Sequence, residues 1–182
     1  PTLEDYPLFG GEEHYKAAYN AAIESVTLLE NKGVLPLSTS EKILLTGPGA
    51  NDFIIQNGAW SRTWQGIDTF IVKEKHLTVL DAMNRLSSNI LYEKGTSIDS
   101  IENISAAVSK AKLSSKIVVV LGEKPSTEKV GDIDDLTLDQ AQIDLVKALS
   151  KTGKPIVAVM MFNRPRIVSE IVDLCDAVLM AY

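Results

Sequence analysis

Short apolar runs alternate with segments of helical periodicity along most of the chain. The strand-like runs are residues 42–46, 90–93, 116–121, 155–162 and 177–181. Apolar residues at helical spacing predict helices over residues 12–31, 78–87, 101–112, 138–151 and 167–174. The run 117–121 is apolar without alternation, which is typical of a strand buried on both faces. The pattern therefore predicts the α/β class, with a mainly parallel sheet sandwiched by helices.

The two ends of the chain differ from the region between them. Residues 1–11 are rich in proline and glycine, which predicts an extended arm or linker before an α/β domain at residues 12–182. The chain starts at Pro1, not at Met, and stops at Tyr182 directly after an apolar run. Natural termini usually consist of polar surface residues. We therefore expect a fragment of a longer protein.

The negative net charge of the chain argues against nucleic acids and anionic membranes as partners. The 182 residues carry a net charge of -6, and 45% of them are hydrophobic, which is ordinary for one globular domain. Nucleic acids and anionic membrane surfaces are bound by clustered lysine and arginine. No apolar run in the sequence reaches the length that a membrane-spanning helix needs. We therefore expect neither a nucleic acid nor a membrane as partner.

The sequence contains no recognisable metal-binding or dinucleotide-binding motif. His14 and His76 have no neighbours at a metal-binding spacing. Residues 47–49 lack the third glycine and the prompt helix of a dinucleotide-binding loop. The single cysteine, Cys175, lies in an apolar stretch, and we expect it to be buried and inert. The sequence therefore predicts neither a metal nor another cofactor.

Three segments that follow predicted strands are rich in polar and aromatic side chains. They are residues 47–66, 122–135 and 162–166. Open α/β sheets bind ligands at the carboxyl ends of their strands, and parallel strands place these ends at one edge of the sheet. The pattern therefore predicts that the three segments meet in one functional site.

The first segment holds both tryptophans of the chain, Trp60 and Trp64, in a loop bounded by glycines. Burial in the core is one interpretation of the two indoles. The polar residues around them, among them Arg62, favour exposure instead. An exposed indole stacks on the apolar face of a sugar while neighbouring polar groups bond to its hydroxyls, so this loop is a candidate sugar-binding site.

The second and third segments carry charged residues. Glu123, Glu128 and Asp132 follow the most apolar strand. A solvated charged loop is one interpretation, and a general acid/base carboxylate is the other. The second requires that substrate or a partner domain encloses a carboxyl group and so raises its pKa. In the third segment, Arg164 either orients a carboxylate or a sugar hydroxyl, or pairs with a surface acid.

Several segments, taken in chain order, resemble glycoside hydrolase family 3. Residues 58–66, from Gly-Ala-Trp to Trp-Gln-Gly, look like the tryptophan loop of that family. Residues 122–138, with Gly-Glu, a second glutamate, Gly-Asp and Leu-Thr-Leu, look like its acid/base loop. Further similar segments are residues 21–31, 35–37, 43–48, 164–165 and 176–177. The similarity runs from about residue 17 to residue 182 and so covers nearly the whole chain.

The resemblance implies one domain of a two-domain enzyme, truncated at its carboxyl end, with residues 1–11 as the tail of the interdomain linker. An amino-terminal barrel, absent from this chain, would supply the nucleophilic aspartate, and the α/β sandwich would supply the acid/base glutamate. The resemblance favours Glu128 for the acid/base role, with Glu123 as second choice. Lys129, Asp132 and Arg164 would support the loop.

The implied parent enzyme is a retaining exo-acting β-glycosidase of the β-glucosidase or exo-β-glucan glucohydrolase type. Its substrate would be a β-glucoside or β-glucan oligosaccharide with a terminal β-D-glucosyl residue, bound in part by Trp60, Trp64 and Arg62. The family resemblance also implies a periplasmic or secreted enzyme. We expect this chain alone to be inactive because it lacks the nucleophile.

Two other interpretations stay open. A non-catalytic carbohydrate-binding or interaction module would use the Trp60/Trp64 loop without the acids. A nucleotide-binding domain would fit the α/β pattern alone. An upstream barrel with an aspartate near a strand end would distinguish the enzyme from both.

Overall fold

The computed structural model describes residues 2–61, 63–66 and 77–182. These residues contain six strands: β1 (Thr27–Asn31), β2 (Ile43–Thr46), β3 (Ile90–Glu93), β4 (Lys116–Gly122), β5 (Ile156–Met161) and β6 (Ala177–Ala181). The order across the single sheet is β1-β6-β5-β4-β2-β3. All neighbouring pairs are parallel except β1 and β6. The predicted mainly parallel α/β sheet is therefore confirmed.

The α-helices are α1 (Glu12–Ser25), α2 (Phe53–Asn57), α3 (Val79–Leu86), α4 (Ile104–Lys112), α5 (Gln140–Ser150) and α6 (Ser169–Val172). α3 packs on one face of the sheet, and α4, α5 and α6 pack on the other. Polar side chains cap the amino-terminal ends of two of these helices. The side chain of Thr78 accepts a hydrogen bond from the backbone N–H of Asp81 at the start of α3, and the side chain of Asn103 accepts one from the backbone N–H of Ala106 at the start of α4. Such caps satisfy backbone donors that the first helical turn leaves free.

The core consists of two apolar layers, one on each face of the sheet. Successive residues of a strand point to opposite faces. Ile117 and Val119 of β4 accordingly pack with α4, α5 and α6, whereas Val118 and Val120 pack in the layer that includes α3. Every residue of β4 after Lys116 is buried, so the non-alternating apolar run is a strand covered on both faces.

The predicted helix over residues 12–31 is wrong at its carboxyl end. α1 ends at Ser25, and after Val26 the chain continues as β1, which pairs antiparallel with β6. The β-branched Val26 and Thr27 favour an extended backbone. The open edge of β6 offers hydrogen bonds that no local pattern reveals. Tertiary pairing therefore overrides the helical spacing of this segment.

The other predicted elements agree closely with the structure, and one short α-helix is additional among the described residues. α2 begins after Asp52, whose side chain accepts from the backbone N–H groups of Ile54 and Ile55. It lies inside the segment 47–66 that follows β2, where the sequence pattern predicts no helix. Among the residues that the structure describes, no helix is long and apolar enough to cross a membrane.

The strand directions bring the candidate segments to one edge of the sheet. β2, β4 and β5 are adjacent and parallel, so the residues after Thr46, Gly122 and Met161 emerge side by side. Gly47 allows the chain to turn there. Its φ is 97°, and a Cβ at this position would lie 2.4 Å from the carbonyl oxygen of Val120. Any other residue would be strained and would clash.

Candidate active site

The three strand-end segments contact one another at the carboxyl edge of the sheet. Asn163, after β5, donates its backbone N–H to Glu123 Oε2 (3.2 Å) and its Nδ2 to the carbonyl of Lys124 (3.0 Å). Gln65, from the segment after β2, accepts from the backbone N–H of Thr127 (3.2 Å). All three segments line an open cleft of about 760 Å³. A cleft of this size accommodates a small ligand.

Glu123 is the buried acid of this edge. Its side chain is 8% exposed and lies between two arginines, 3.0 Å from Arg164 Nε and 2.9 Å from Arg166 Nη1. The backbone N–H of Asn163 donates to its other oxygen. A buried carboxylate that is paired and hydrogen-bonded in this way is held in one orientation. Glu123 therefore anchors the end of β4 to the segment after β5.

Arg164 closes the loop that follows Glu123. Its Nη1 donates to the carbonyl of Gly131 at 2.5 Å, and its Nη2 donates to Ser126 Oγ at 2.7 Å. The planar guanidinium offers several donors in a rigid fork, so it holds these acceptors at fixed positions. One arginine thus draws together the two ends of the loop over residues 126–131.

Glu128 lies within this closed loop. It begins the 3-10 turn Glu128–Gly131, its side chain is exposed, and its φ is 55°. In the described part of the chain, Trp60 is the other non-glycine residue with a positive φ, at 59°. A positive φ costs such residues about 1–3 kcal/mol, and strain of this kind clusters at functional sites. The two strained residues belong to the predicted acid/base and sugar-binding loops.

Both indoles are open to solvent at the same edge. Trp60 is 66% exposed and Trp64 is 46% exposed, so neither lies in the core. The backbone N–H of Trp60 donates to the carbonyl of Trp64 (3.2 Å) and closes the turn. Gly66 has a φ of 72° and lies against Gly58: a Cβ on Gly66 would be 2.1 Å from the carbonyl oxygen of Gly58. The tight turn leaves two aromatic faces free to stack on a sugar.

Thr127 connects the tryptophan loop to the loop that carries Glu128. Trp60 Nε1 donates to Thr127 Oγ1 at 3.1 Å. The Gln65 side chain bonds to both main-chain groups of Thr127, since Oε1 accepts from its N–H at 3.2 Å and Nε2 donates to its carbonyl at 3.3 Å. The residue before Glu128 is therefore held from the tryptophan loop through its side chain and its backbone.

The remaining predicted residues have varied surroundings. The side chains of Lys129 and Asp132 are exposed and form no hydrogen bond or ion pair with the residues that the structure describes, so their support of the loop stays a prediction. Arg62 and His76 lie outside the described residues. No group of three or more His, Cys, Asp or Glu residues that could hold a metal ion occurs within the described ranges. Burial raises the pKa of the Cys175 thiol to about 12, which keeps it protonated and unreactive at neutral pH.

Two residues that hold the loops, Gln142 and Arg166, are not among the site residues predicted from the sequence. Gln142 of α5 is fully buried, and its amide bonds to both the N–H and the carbonyl of Gly122 at 2.9 Å. Arg166 donates to the carbonyls of Leu136 and Thr137. Gln142 could have been found from the sequence, since it is a polar residue on the apolar face of a predicted helix. A buried amide requires hydrogen-bond partners, so such a residue is a candidate for holding a neighbouring segment. Arg166 carried no signal beyond its place after a strand.

The family model of the glycosyl hydrolase family 3 C-terminal domain matches residues 26–182. The chain belongs to this family. The resemblance to glycoside hydrolase family 3 is therefore confirmed. The match includes all six strands of the sheet.

Two relatives of this chain are longer proteins. The lysosomal beta glucosidase of Dictyostelium discoideum is 39% identical over 194 aligned residues, which cover 100% of this chain and 24% of that protein. The beta-xylosidase of Formosa agariphila is 32% identical over 181 residues, which cover 93% of this chain and 24% of the relative. The chain thus spans 24% of the length of each of these two relatives.

A solved structure has the same fold. The crystal structure of the beta-glucosidase from Listeria innocua in complex with glucose superposes with a TM-score of 0.82 at 27% identity. The match covers 94% of this chain and 23% of the Listeria protein. The fold of this chain is therefore that of a domain within a larger enzyme of the family.

Proposed function

We propose that this chain forms the acid/base half of a retaining, exo-acting β-glycosidase. A barrel domain of the same protein supplies the nucleophilic aspartate, and the active site is completed across the domain interface. The lengths of the relatives support this arrangement, because the chain spans only 24% of the named β-glucosidase and β-xylosidase. In this proposal residues 1–11 link the two domains, and residues 12–182 form most of the second.

The observation that carries the proposal is the contrast between the two glutamates of one loop. Glu123 is buried and paired with Arg164 and Arg166. Glu128 is exposed in a strained turn, directly after the threonine that contacts Trp60. A general acid must reach the glycosidic oxygen and exchange its proton, and a carboxylate fixed by two arginines does not. We therefore assign the acid/base role to Glu128 and an anchoring role to Glu123.

The mechanism has two steps. The barrel aspartate attacks the anomeric carbon while Glu128 donates its proton to the glycosidic oxygen, so the C–O bond breaks and the leaving group departs as an alcohol. Glu128, now a carboxylate, then takes a proton from water as the water oxygen displaces the aspartate. Two inversions retain the β configuration. The two carboxyl groups must lie about 5–5.5 Å apart, so the acid has to project from its own domain, as the exposed Glu128 does.

The tryptophan loop forms the leaving-group side of this site, with Trp64 as the main stacking surface. The exposed faces of both indoles and the hydrogen bond from Trp60 to Thr127 support this placement. Arg62, in the same loop, is a further candidate contact. The terminal sugar that we propose is β-D-glucosyl, since the Dictyostelium relative is named a beta glucosidase. The Formosa relative is named a beta-xylosidase, so a xylosyl residue is the competing choice. The ratio of the hydrolysis rates on nitrophenyl β-glucoside and nitrophenyl β-xyloside distinguishes the two sugars.

The proposed location of the parent enzyme is outside the cytoplasm, in the periplasm or secreted. The name of the lysosomal relative supports a compartment separated from the cytosol. Fractionation of the source cells, with activity measured in each fraction, tests this location. Activity confined to the cytosolic fraction would contradict it.

A non-catalytic carbohydrate-binding module is the second candidate function. The exposure of Trp60 and Trp64 favours it, because stacking alone would serve such a module. The module would bind a sugar and leave Glu128 unused. The two candidates therefore differ in what happens when Glu128 is replaced.

The decisive experiment replaces Glu128 with alanine in the full-length protein. Hydrolysis of natural glycosides should slow by about 10²–10⁴-fold, the usual contribution of general acid/base catalysis. Glycosides with very acidic leaving groups should suffer much less in the first step, because they depart without protonation. The glycosyl intermediate should then accumulate, and azide, which needs no general base, should restore turnover and yield a β-glycosyl azide.

Glu123→Ala is the matched variant within the same loop. Azide should not restore its activity, because Glu123 anchors the loop and takes no part in proton transfer. Rescue of Glu123→Ala and not of Glu128→Ala would reverse the two assignments. Unchanged activity of the Glu128→Ala enzyme would favour the non-catalytic interpretation of the loop.

A further inference from the structure

We propose that Gln65 is a positioning residue for Glu128. Its side-chain amide fixes the backbone of Thr127 and so sets the direction in which the acid/base carboxylate leaves the main chain. This inference rests on the acid/base role proposed for Glu128. It adds a specific structural link between the loop that holds the leaving group and the group that protonates it.

The side-chain amide of Gln65 fixes the plane of the peptide unit between Thr127 and Glu128. Gln65 Nε2 donates to the carbonyl of Thr127 at 3.3 Å, and Oε1 accepts from the Thr127 N–H at 3.2 Å. The Thr127 carbonyl and the Glu128 nitrogen belong to the same planar peptide unit. Fixing that carbonyl therefore fixes the axis about which φ of Glu128 turns. The direction of the Cα–Cβ bond of Glu128 follows from its φ of 55°.

The strained backbone requires such a restraint. A non-glycine residue keeps a positive φ only where the surrounding structure over-determines it. Arg164 holds the loop at Ser126 and at Gly131, but neither contact acts on the peptide next to Glu128. The amide of Gln65 acts on that peptide directly. Loss of the amide would free Glu128 to relax towards ordinary backbone angles and turn its side chain away.

The same contact joins the acid to the tryptophan platform. Trp60 Nε1 donates to Thr127 Oγ1 at 3.1 Å, and Gln65 directly follows Trp64 in the sequence. Thr127 is thus attached to both sides of the turn that presents the indoles. A leaving group stacked on this turn would have a fixed position relative to Glu128, which is the requirement for efficient proton transfer.

The test uses the full-length enzyme with Gln65 changed to methionine. Methionine keeps the length and approximate volume of the side chain but removes both hydrogen bonds to Thr127. Gln56→Met is the matched control, because Gln56 lies in the adjacent α2 and donates Nε2 to the carbonyl of Leu77 at 2.9 Å. Glu128→Ala is measured in parallel. The measured quantity is kcat/KM for an unactivated disaccharide and for the dinitrophenyl glycoside of the same sugar.

We expect Gln65→Met to lower kcat/KM for the disaccharide by about 10- to 100-fold, because a misplacement of roughly 1 Å can cost about 10² in rate. The dinitrophenyl glycoside, whose leaving group needs no proton, should lose less than about threefold. The ratio of the two values comes from one preparation, so it does not depend on the fraction of folded enzyme. Gln56→Met should leave this ratio unchanged.

Equal loss on both substrates, or no loss, would overturn the positioning role of Gln65. A changed ratio in Gln56→Met as well would also overturn it, since the effect would then not be specific to the Thr127 contact. The Glu128→Ala enzyme separates the two levels of the argument. If its ratio changes and that of Gln65→Met does not, only the positioning inference fails. If its ratio is unchanged, the acid/base assignment itself fails.

Discussion

The carboxylate of Glu123 lies 2.9 Å from Nη1 of Arg166, with side chains that are 8% and 9% exposed. Arg166 also donates to the carbonyls of Leu136 and Thr137, ahead of α5. The pair therefore joins the end of β4, the segment after β5 and the start of the next helical layer. This junction holds the strand end from which the loop of Glu128 begins, so we expect its loss to lower both stability and activity.

Replacing Glu123 with alanine should destabilise the fold strongly. Two arginines, Arg164 and Arg166, would lose their shared acid at a buried position. Removing one partner of a buried ion pair typically costs about 3–5 kcal/mol. Urea unfolding of the variant should show a loss of this size in the free energy of unfolding.

Glu170→Ala is the matched control for this prediction. Glu170 pairs with Lys147, but the two side chains are 50% and 41% exposed. Exposed pairs of this kind contribute about 0–1 kcal/mol. If the two variants lose the same free energy, Glu123 is not the anchor that its surroundings indicate.

Trp64→Ala should impair oligosaccharide hydrolysis more than hydrolysis of a small activated glycoside. A single activated ring has little leaving group to stack, whereas an oligosaccharide places a second sugar against the indole. The full-length enzyme should therefore show a rise in KM for oligosaccharides, by about 10-fold or more. Equal loss on both substrates would indicate that the indole has a structural role only.

Trp60→Phe gives the complementary measurement. Phenylalanine keeps an aromatic face but lacks the N–H that Trp60 donates to Thr127. We expect its main defect in kcat for poor leaving groups, because the contact that is lost reaches the residue before Glu128. A defect only in KM would place Trp60 in stacking alone.

The parallel core of the fold could be predicted from local pattern, and the edge could not. The run from Ile117 to Leu121 is apolar on both faces, and this pattern suffices to predict β4 and its neighbours. β1 has no comparable signal. Residues 27–31 form a strand because β6, far along the chain, offers an unpaired edge, and apolar spacing within one segment does not contain that information.

In the candidate site, too, the sequence pattern predicts part of the arrangement and the tertiary structure alone reveals the rest. The rule that ligands bind at the carboxyl ends of parallel strands was enough to bring the segments of Trp60 and Glu128 together. The pair that joins them, Gln65 and Thr127, is separated by 62 residues. Polar contacts between loops have no periodicity, so no pattern in the sequence identifies them. They become visible only when the strands have placed both loops at one edge.

Gly47→Ala should be among the most damaging single changes in the fold. A Cβ at Gly47 would lie 2.4 Å from the carbonyl of Val120, in the central strand, and φ there is 97°. Gly153→Ala is the control, since φ is 69° and no atom lies within 4 Å of a Cβ. The control should lose about 1–2 kcal/mol through backbone strain alone. Gly47→Ala should lose clearly more in the same unfolding measurement, and an equal loss would show that β4 moves aside without cost.

The 182-residue chain on its own should not hydrolyse aryl β-glycosides. A general acid without a positioned nucleophile leaves the attack on the anomeric carbon uncatalysed, and the proposed nucleophile belongs to the barrel domain. Purified chain should therefore release nitrophenol no faster than the same chain with Glu128→Ala, which controls for contaminating glycosidase. Turnover in the ordinary enzyme range, about 1–10³ per second, that disappears in the Glu128→Ala chain would mean that these residues contain a complete catalytic pair. The two-domain site would then be wrong, and the acids of the loop over residues 122–135 would be the first place to search for the second carboxylate, because they follow the same strand end.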